Sequence, residues 1–245
     1  MIFWNDTSIA DIGWNIAVDE AILNACEEGI IQQLPVVRLW RQRSWAVVVG
    51  ASGKLADEVY VDRCQQLGIP IARRSSGGGT VLLGPGTFCI SVVQPIAGFK
   101  PEDRDVRTLQ VLVLKQLASQ LNDLVPGLEV IDAGDWTIAG KKCAGSAQRR
   151  RKACVMVHAS VLNQTDLAMV SRLLPPPPRM PEYRNGRSHE QFLTNLGLTE
   201  SDVVSRLERL RTVFLECELL HKAITPLANE LANERFRIWE WTNRF

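Results

Sequence analysis

Apolar residues recur along the chain at two periods, one helical and one extended, and the change from one to the other marks out its elements. From Asp11 to Glu27, Trp14, Val18, Ile22 and Cys26 fall at four-residue steps while Asp19, Glu20 and Asn24 lie elsewhere, which predicts an amphipathic helix packed on a sheet. Val36 to Trp40 and Trp45 to Val49 are β-rich runs joined by Arg41-Gln42-Arg43-Ser44, a pattern that predicts a hairpin ending at Gly50-Ala51-Ser52-Gly53. A short helix over Asp57 to Leu67 feeds a strand from Ile69 to Arg73, and strands Thr80 to Leu83 and Phe88 to Val93 flank Gly84-Pro85-Gly86. Asp105 to Leu124 is the plainest helix, with Val106, Leu109, Val113, Leu117, Leu121 and Leu124 near a 3.6-residue period.

The second half begins with a strand-like Glu129 to Asp132. Asp135 to Ala139 and Lys141 to Ser146 then form a hairpin about Ala139-Gly140, whose return strand sends Lys141 and Lys142 to opposite faces. Ala153 to Leu162 alternates, with Val155, Val157, Ala159 and Val161 on one face and Cys154, Met156, His158 and Ser160 on the other. Arg149 to Lys152, between these strands, reads as a solvated loop. Pro175 to Pro178 and then Arg179 to His189 lack periodicity, and a long irregular segment in a compact domain is often functional. Thr199-Glu200-Ser201-Asp202 looks like a capping box opening a helix with Val203, Leu207 and Leu210. A last helix is expected to start near Pro226 and run towards Trp239. With no internal repeat and no Gly/Ser-rich linker, residues 1–245 predict one α/β domain.

Composition narrows the function classes. Lys+Arg 28 against Asp+Glu 27 leaves a formal charge of +1, so no global field recruits nucleic acid or anionic membrane. No apolar run is long enough for a membrane span, and the start at Met1-Ile2-Phe3-Trp4-Asn5-Asp6 is unlike a signal peptide, so a cytoplasmic protein is expected. Its 6 cysteines show no C-x-x-C spacing and are expected to be reduced thiols; the separated histidines His158, His189 and His221 do not suggest zinc.

The chemistry concentrates at Arg73-Arg74-Ser75-Ser76-Gly77-Gly78-Gly79-Thr80-Val81. Three consecutive glycines let a ligand lie on bare backbone and let N–H groups converge on an anion, and arginine supplies forked donors for the same groups. The plainer alternative is a glycine turn with both arginines in solvent. Gly53-Lys54 is no P-loop, since Val48 stands where its first glycine belongs and Leu55 follows, and no G-x-G-x-x-G follows a strand.

This loop resembles the ligand loop of the lipoate-protein ligases of the biotin/lipoate ligase superfamily. The resemblance continues through Gly134-Asp135, Lys142-Cys143-Ala144-Gly145-Ser146-Ala147-Gln148, His158-Ala159-Ser160, Pro181-Glu182-Tyr183-Arg184 and Arg187-Ser188-His189, covering nearly the whole chain. It implies an α+β fold of the class II synthetase type, with mixed, largely antiparallel sheets flanked by helices. It also implies activation of lipoate or octanoate with ATP and Mg²⁺ as an acyl-adenylate, followed by transfer to the lysine of a lipoyl carrier domain. By that resemblance Lys142 is the catalytic ammonium between the acyl carbonyl and the α-phosphate. Ser76, Gly77, Gly78, Gly79 and Thr80 cradle lipoate or phosphate, and one of Arg73 and Arg74 balances the triphosphate. Asp135 contacts magnesium or adenosine, and Gly145, Ser146, Ala147, His158 and Ser160 join the binding wall. The Gly50 to Gly53 turn either lines the acyl pocket or is only a turn.

Two features depart from the family pattern, and two further readings stay open. Ala159 replaces a common glycine. The chain stops at Phe245, soon after Trp241, without the accessory C-terminal domain of many lipoate ligases, so an accessory subunit is an alternative to autonomous activation. Octanoyltransferases share the fold but use a cysteine and no ATP, and Cys143 and Cys154 lie near the lysine motif. Biotin is the weaker substrate expectation.

Overall fold

The computed structural model describes residues 1–8, 11–32, 35–131, 134–212 and 217–245, so the strand end expected at Asp132 lies outside the described residues. The first half runs β1 (Ile2–Asn5), α1 (Ile12–Glu27), β2 (Val36–Trp40), β3 (Ala46–Val49), α2 (Leu55–Glu58), α3 (Val61–Gln66), β4 (Ile71–Arg73), β5 (Val81–Leu83), β6 (Thr87–Pro95) and α4 (Val106–Ser119). The second half adds β7 (Leu128–Ile131), β8 (Asp135–Ile138), β9 (Lys141–Arg150), β10 (Cys154–Leu162), α5 (Ala168–Leu173), α6 (His189–Phe192), α7 (Glu200–Glu208), α8 (Cys217–Leu231) and α9 (Trp239–Thr242).

A seven-stranded sheet in the order β1-β2-β6-β10-β9-β8-β7 is antiparallel except for the β1–β2 pair; a three-stranded sheet, β4-β3-β5, stands beside it. The alternation along β10 divides the core. Val155, Val157, Ala159 and Val161 pack with Leu109, Val113 and Leu117 of α4, whereas Cys154 and Met156 pack with α1 and α8. A third apolar cluster joins the small sheet to α5 through Val47, Leu82, Val170 and Leu173. The α/β expectation with largely antiparallel sheets flanked by helices therefore holds. No described helix is long and apolar enough to cross a membrane.

Several local expectations give way to tertiary packing. β2 and β3 are not a hairpin. β2 pairs with β1 and β6, β3 pairs with β4 and β5, and the four polar residues between them carry the chain from one sheet to the other. The helix expected over Asp57 to Leu67 is two short helices, because Val59 and Tyr60 between them are not helical. Arg149 and Arg150 are not a loop, since β9 continues through them to match Met156 and Val155 of β10. Pro226 lies inside α8, not at its start. Leu220, Ile224, Ala228 and Ala232 are buried at four-residue spacing on both sides of it, and that continuous apolar stripe against α1 outweighs the roughly 3 kcal/mol cost of proline.

α1 also differs from a one-sided amphipathic helix. Asn15, Asp19 and Glu20 are buried: Asn15 and Asp19 accept from Arg38 of β2, itself fully buried, and Glu20 meets Ser75, Arg151 and Arg235. Arg38 donates to Asp6 Oδ2 at 2.7 Å, Asp19 Oδ1 at 2.7 Å and Asn15 Oδ1 at 2.9 Å, which satisfies a charge that burial would otherwise heavily penalise. Cys26 of α1 and Cys154 of β10 are joined as a disulfide, contrary to the expectation of reduced thiols, because helix-on-sheet packing brings their Cα atoms to 6.5 Å. Cys64, Cys89 and Cys143 are free and buried, and the side chain of Cys217 lies outside the described residues.

Candidate active site

Between the two sheets, under the segment from Leu174 to Leu193, lies a cavity of about 380 Å³, a size typical of small-molecule sites. Val81, Leu83, Met156, Val170 and Phe192 give it apolar walls, and Lys142, Asp135, His158 and Arg184 give it a polar end.

The β8–β9 hairpin places Lys142. Ala139 and Gly140 turn with φ of 49° and 70°, the left-handed pair suited to a two-residue hairpin loop. The pairing then slips: Thr137 faces Lys142 while Trp136 faces Ala144, leaving Cys143 as an extra residue. That bulge sends Cys143 and Ala144 together into the core with Trp136, while Lys142 and Gly145 both line the cavity. Lys142 keeps 27 % of its side chain exposed, enough to meet a ligand, and its Nζ lies 2.8 Å from Asp135 Oδ1. The Tyr183 hydroxyl donates to Asp135 Oδ2 at 2.6 Å. Burial, followed by this bond to Asp135, raises the Tyr183 pKa and keeps the donor protonated. Gly145 makes room for the ammonium, since a Cβ there would stand 2.7 Å from Lys142 Nζ.

Asp135 is thus engaged on both oxygens, which changes the expectation that it holds magnesium. The other carboxylates of the wall are also committed: Asp19 to Arg38, Trp40 and Ser91, and Glu58 to the N–H and hydroxyl of Thr80. Among the described residues no group of three metal-ligating side chains converges, so the chain offers no all-protein cage, and magnesium would be held chiefly by the nucleotide's own phosphates.

The glycine loop is held from behind by the arginines expected to face the triphosphate. Arg73 is fully buried outside the cavity wall, donating to the carbonyls of Gly50 at 2.8 Å, Gly53 at 2.7 Å and Thr242 at 2.9 Å. It bolts the Gly50 to Gly53 turn to α9. Arg74 reaches the wall, but Nη2 donates to the carbonyls of Gly77 at 2.6 Å and Gly79 at 2.9 Å, Nη1 to Val48 O and Nε to Ser76 Oγ. Burial lowers its pKa to about 10, so it remains a cation at neutral pH. Arg74 spends its fork on its own loop, and Arg73, though its Nη2 is unpartnered, lies outside the cavity wall, so neither guanidinium is aimed at a phosphate there.

Gly78 adopts φ of 86° and lines the cavity with Gly79, whereas Gly77 lies outside the wall. The Gly50 turn is likewise outside the wall and supports the loop by close approach: a Cβ on Gly50 would stand 2.0 Å from Gly78 O. His158 Nε2 lies 2.7 Å from Ser76 Oγ. Burial, with Arg74 nearby, lowers the His158 pKa to about 4, and the neutral ring can accept the Ser76 proton while Ser76 accepts from Arg74 Nε. Ser146 Oγ accepts from Gln110 of α4 at 2.7 Å and donates to Gly134 O, so its first duty is to fix the hairpin base.

Ser76, Gly78, Gly79, Thr80, Asp135, Lys142, Gly145, Ser146, Ala147, His158 and Ser160 therefore share one cavity, with Arg74 behind the loop and Arg73 and Gly77 outside the wall. Sequence reasoning did not name Asp19, Glu58, Tyr183 or Arg184 as site residues. The irregular Pro181 to His189 segment was the signal that could have found the last two. No free cysteine among the described residues is an activated thiol. Burial pushes Cys143 up to about 12 and raises Cys89, and a nucleophile needs the opposite shift.

Residues 11–209 match the lipoyl protein ligase A/B catalytic domain. The chain is 28% identical over 247 residues to lipoate-protein ligase A subunit 1 of Thermoplasma acidophilum, covering 93% of this chain and 90% of that protein. It is also 28% identical over 261 residues to the octanoyltransferase LipM of Brevibacillus brevis, covering 94% of each. A crystal structure of lipoate-protein ligase A bound with ATP superimposes with a TM-score of 0.76 at 24% identity, covering 99% of this chain and 98% of that one, a likeness of fold. With that match spanning both the glycine loop and the Lys142 hairpin, the chain belongs to the lipoyl protein ligase A/B catalytic domain family.

Proposed function

We propose that this chain is an ATP-dependent lipoate-protein ligase, a single catalytic domain that activates lipoate or octanoate as acyl-AMP and transfers it to a lipoyl-domain lysine in the cytoplasm. One observation carries the reading: a largely apolar cavity has a lysine ammonium on its wall, and among the described residues no activated thiol is there to take the acyl group. The reactants are a carboxylate and a nucleotide phosphate, both anionic, and they meet only where fixed positive charge offsets their repulsion. Lys142 supplies that charge as an electrostatic stabiliser, with Asp135 and Tyr183 orienting it. Gly78 and Gly79 present backbone without side chains to the ligand, and the apolar walls take the acyl tail while excluding water. ATP supplies the leaving group that makes amide formation favourable.

The test incubates an acceptor lipoyl domain with the protein, lipoate and ATP, and follows its intact mass. A lipoyl mass gain that needs ATP is expected, and Lys142→Ala should abolish it while leaving thermal melting near wild type. Acylation from octanoyl carrier protein without ATP would replace this reading by that of the LipM relative. A gain only after a second subunit is added would assign the chain a partner, as the name of its archaeal relative suggests. Undiminished turnover by Lys142→Ala would sink the assignment of Lys142.

A further inference from the structure

The segment between α5 and α6 carries a buried cation to which neither the family resemblance nor the proposed reaction gives a role. Arg184 is 3 % exposed and forms part of the cavity wall. Its Nε donates to Arg187 O at 2.9 Å, and its guanidinium lies 4.8 Å from the Phe192 ring centroid. Its Nη2 is buried and has no hydrogen-bond partner. Among the described residues no carboxylate forms a salt bridge with it. Arg41, Arg73 and Arg149 also hold orphan buried nitrogens, but none of those three lines this cavity.

The local chain is built to present Arg184. Asn185 and Gly186 take left-handed φ of 48° and 69°, turning the backbone so that Arg187 O can accept from Arg184 and Arg187 Nε can donate to Arg184 O at 3.0 Å. The preceding residue, Tyr183, is anchored to Asp135, so Arg184 enters at the end of the cavity where Lys142 stands. Of the other cations on the wall, Arg74 is tied to loop carbonyls, Lys142 is oriented by Asp135 and Arg179 is solvent-exposed, so Arg184 is the buried one with a nitrogen left over. A stitching role would use Nε alone, whereas a desolvated charged donor left without an acceptor is costly unless a ligand completes it.

We propose that Arg184 is a second, buried ligand-facing cation of this site, its Nη2 closing on an oxyanion of the substrates, either the carboxylate of the acyl acid or a phosphate of the nucleotide. The proposal rests on the ligase reading, since that reading puts both anions in this cavity. Guanidinium suits either, because its donors match the spacing of paired oxygens and its stacking face rests on Phe192. Burial lowers the Arg184 pKa, yet an arginine stays protonated at neutral pH.

Isothermal titration of octanoate alone, octanamide alone and ATP alone into wild type, Arg184→Met and Arg184→Lys separates the outcomes. Loss of a charge-assisted bond should weaken one anion by roughly ten- to a hundredfold in Arg184→Met, leave the neutral amide nearly unchanged, and be partly restored in Arg184→Lys. A loss confined to octanoate identifies the carboxylate; one confined to ATP identifies a phosphate. Equal weakening of octanoate and octanamide, or unchanged affinity for both anions, would overturn the proposal and leave the ligase reading standing. Failure of wild type to bind either anion would remove both. Should Arg184→Met not fold, the lysine variant alone still reads the loss of the fork against the neutral control.

Discussion

Replacing Gly145 with alanine would crowd the Lys142 ammonium with one added carbon. The added Cβ would stand 2.7 Å from Nζ, 2.8 Å from Cε and 3.7 Å from Asp135 Oδ1. Relaxed heavy-atom contacts fall near 3.5–4.0 Å, so the tip of Lys142 must retreat by about 1 Å. The backbone does not resist the change, because Gly145 is outside the positive-φ set. Lys142 is a flexible, partly exposed side chain, and what the fold loses is a weakened ion pair to Asp135, about 1 kcal/mol at most. Catalysis loses more, since a 1 Å misplacement of a catalytic group costs on the order of a hundredfold in rate. Pyrophosphate exchange dependent on lipoate reads the first half-reaction, and thermal melting reads the fold. The expected result is a fall in kcat of about a hundredfold, a smaller change in KM, and a melting temperature close to wild type. Full activity would show that Lys142 need not occupy its observed position, and the electrostatic role assigned to it would fall.

Three further substitutions test the site around this lysine. His158 has its pKa lowered from 6.5 to about 4, so the unfolded chain binds its proton first on acidification. Wild-type stability should therefore drop as pH falls from 6.5 towards 4, and His158→Gln should flatten that part of the melting-temperature profile. Parallel profiles for the two proteins would contradict a buried neutral imidazole. Cys89→Ala and Cys143→Ala should each retain ATP-dependent acylation, because thiols with raised pKa hold too little thiolate to attack. Loss of acyl transfer in either stably folded variant would favour a cysteine mechanism.

Periodicity and short-range chemistry were legible in the sequence. The alternation from Cys154 to Leu162, the Ala139-Gly140 turn and the apolar repeat of α4 each depend on neighbours a few residues apart, and the chain folds them as those neighbours dictate. The composition of the glycine loop likewise announced a backbone free of side chains, which Gly78 and Gly79 present to the cavity, and the spacing of Lys142 from its turn announced the face it occupies.

What the sequence could not determine was which distant group would claim each polar side chain. Arg73 and Arg74 stand side by side in a ligand-binding motif, yet one meets carbonyls 20 and 169 residues away and the other ties its own loop. β2 and β3 entered different sheets because each pairs with strands its neighbours in sequence do not announce, β2 with β1 and β6 and β3 with β4 and β5. Asp135 was taken by Lys142 and Tyr183, and Cys26 met Cys154 across 128 residues. Local pattern decides how a segment buries its apolar face, but a buried charge or hydrogen-bonding group is satisfied only in three dimensions. For that reason the tertiary structure alone decided which side chains face the cavity and which hold its walls in place.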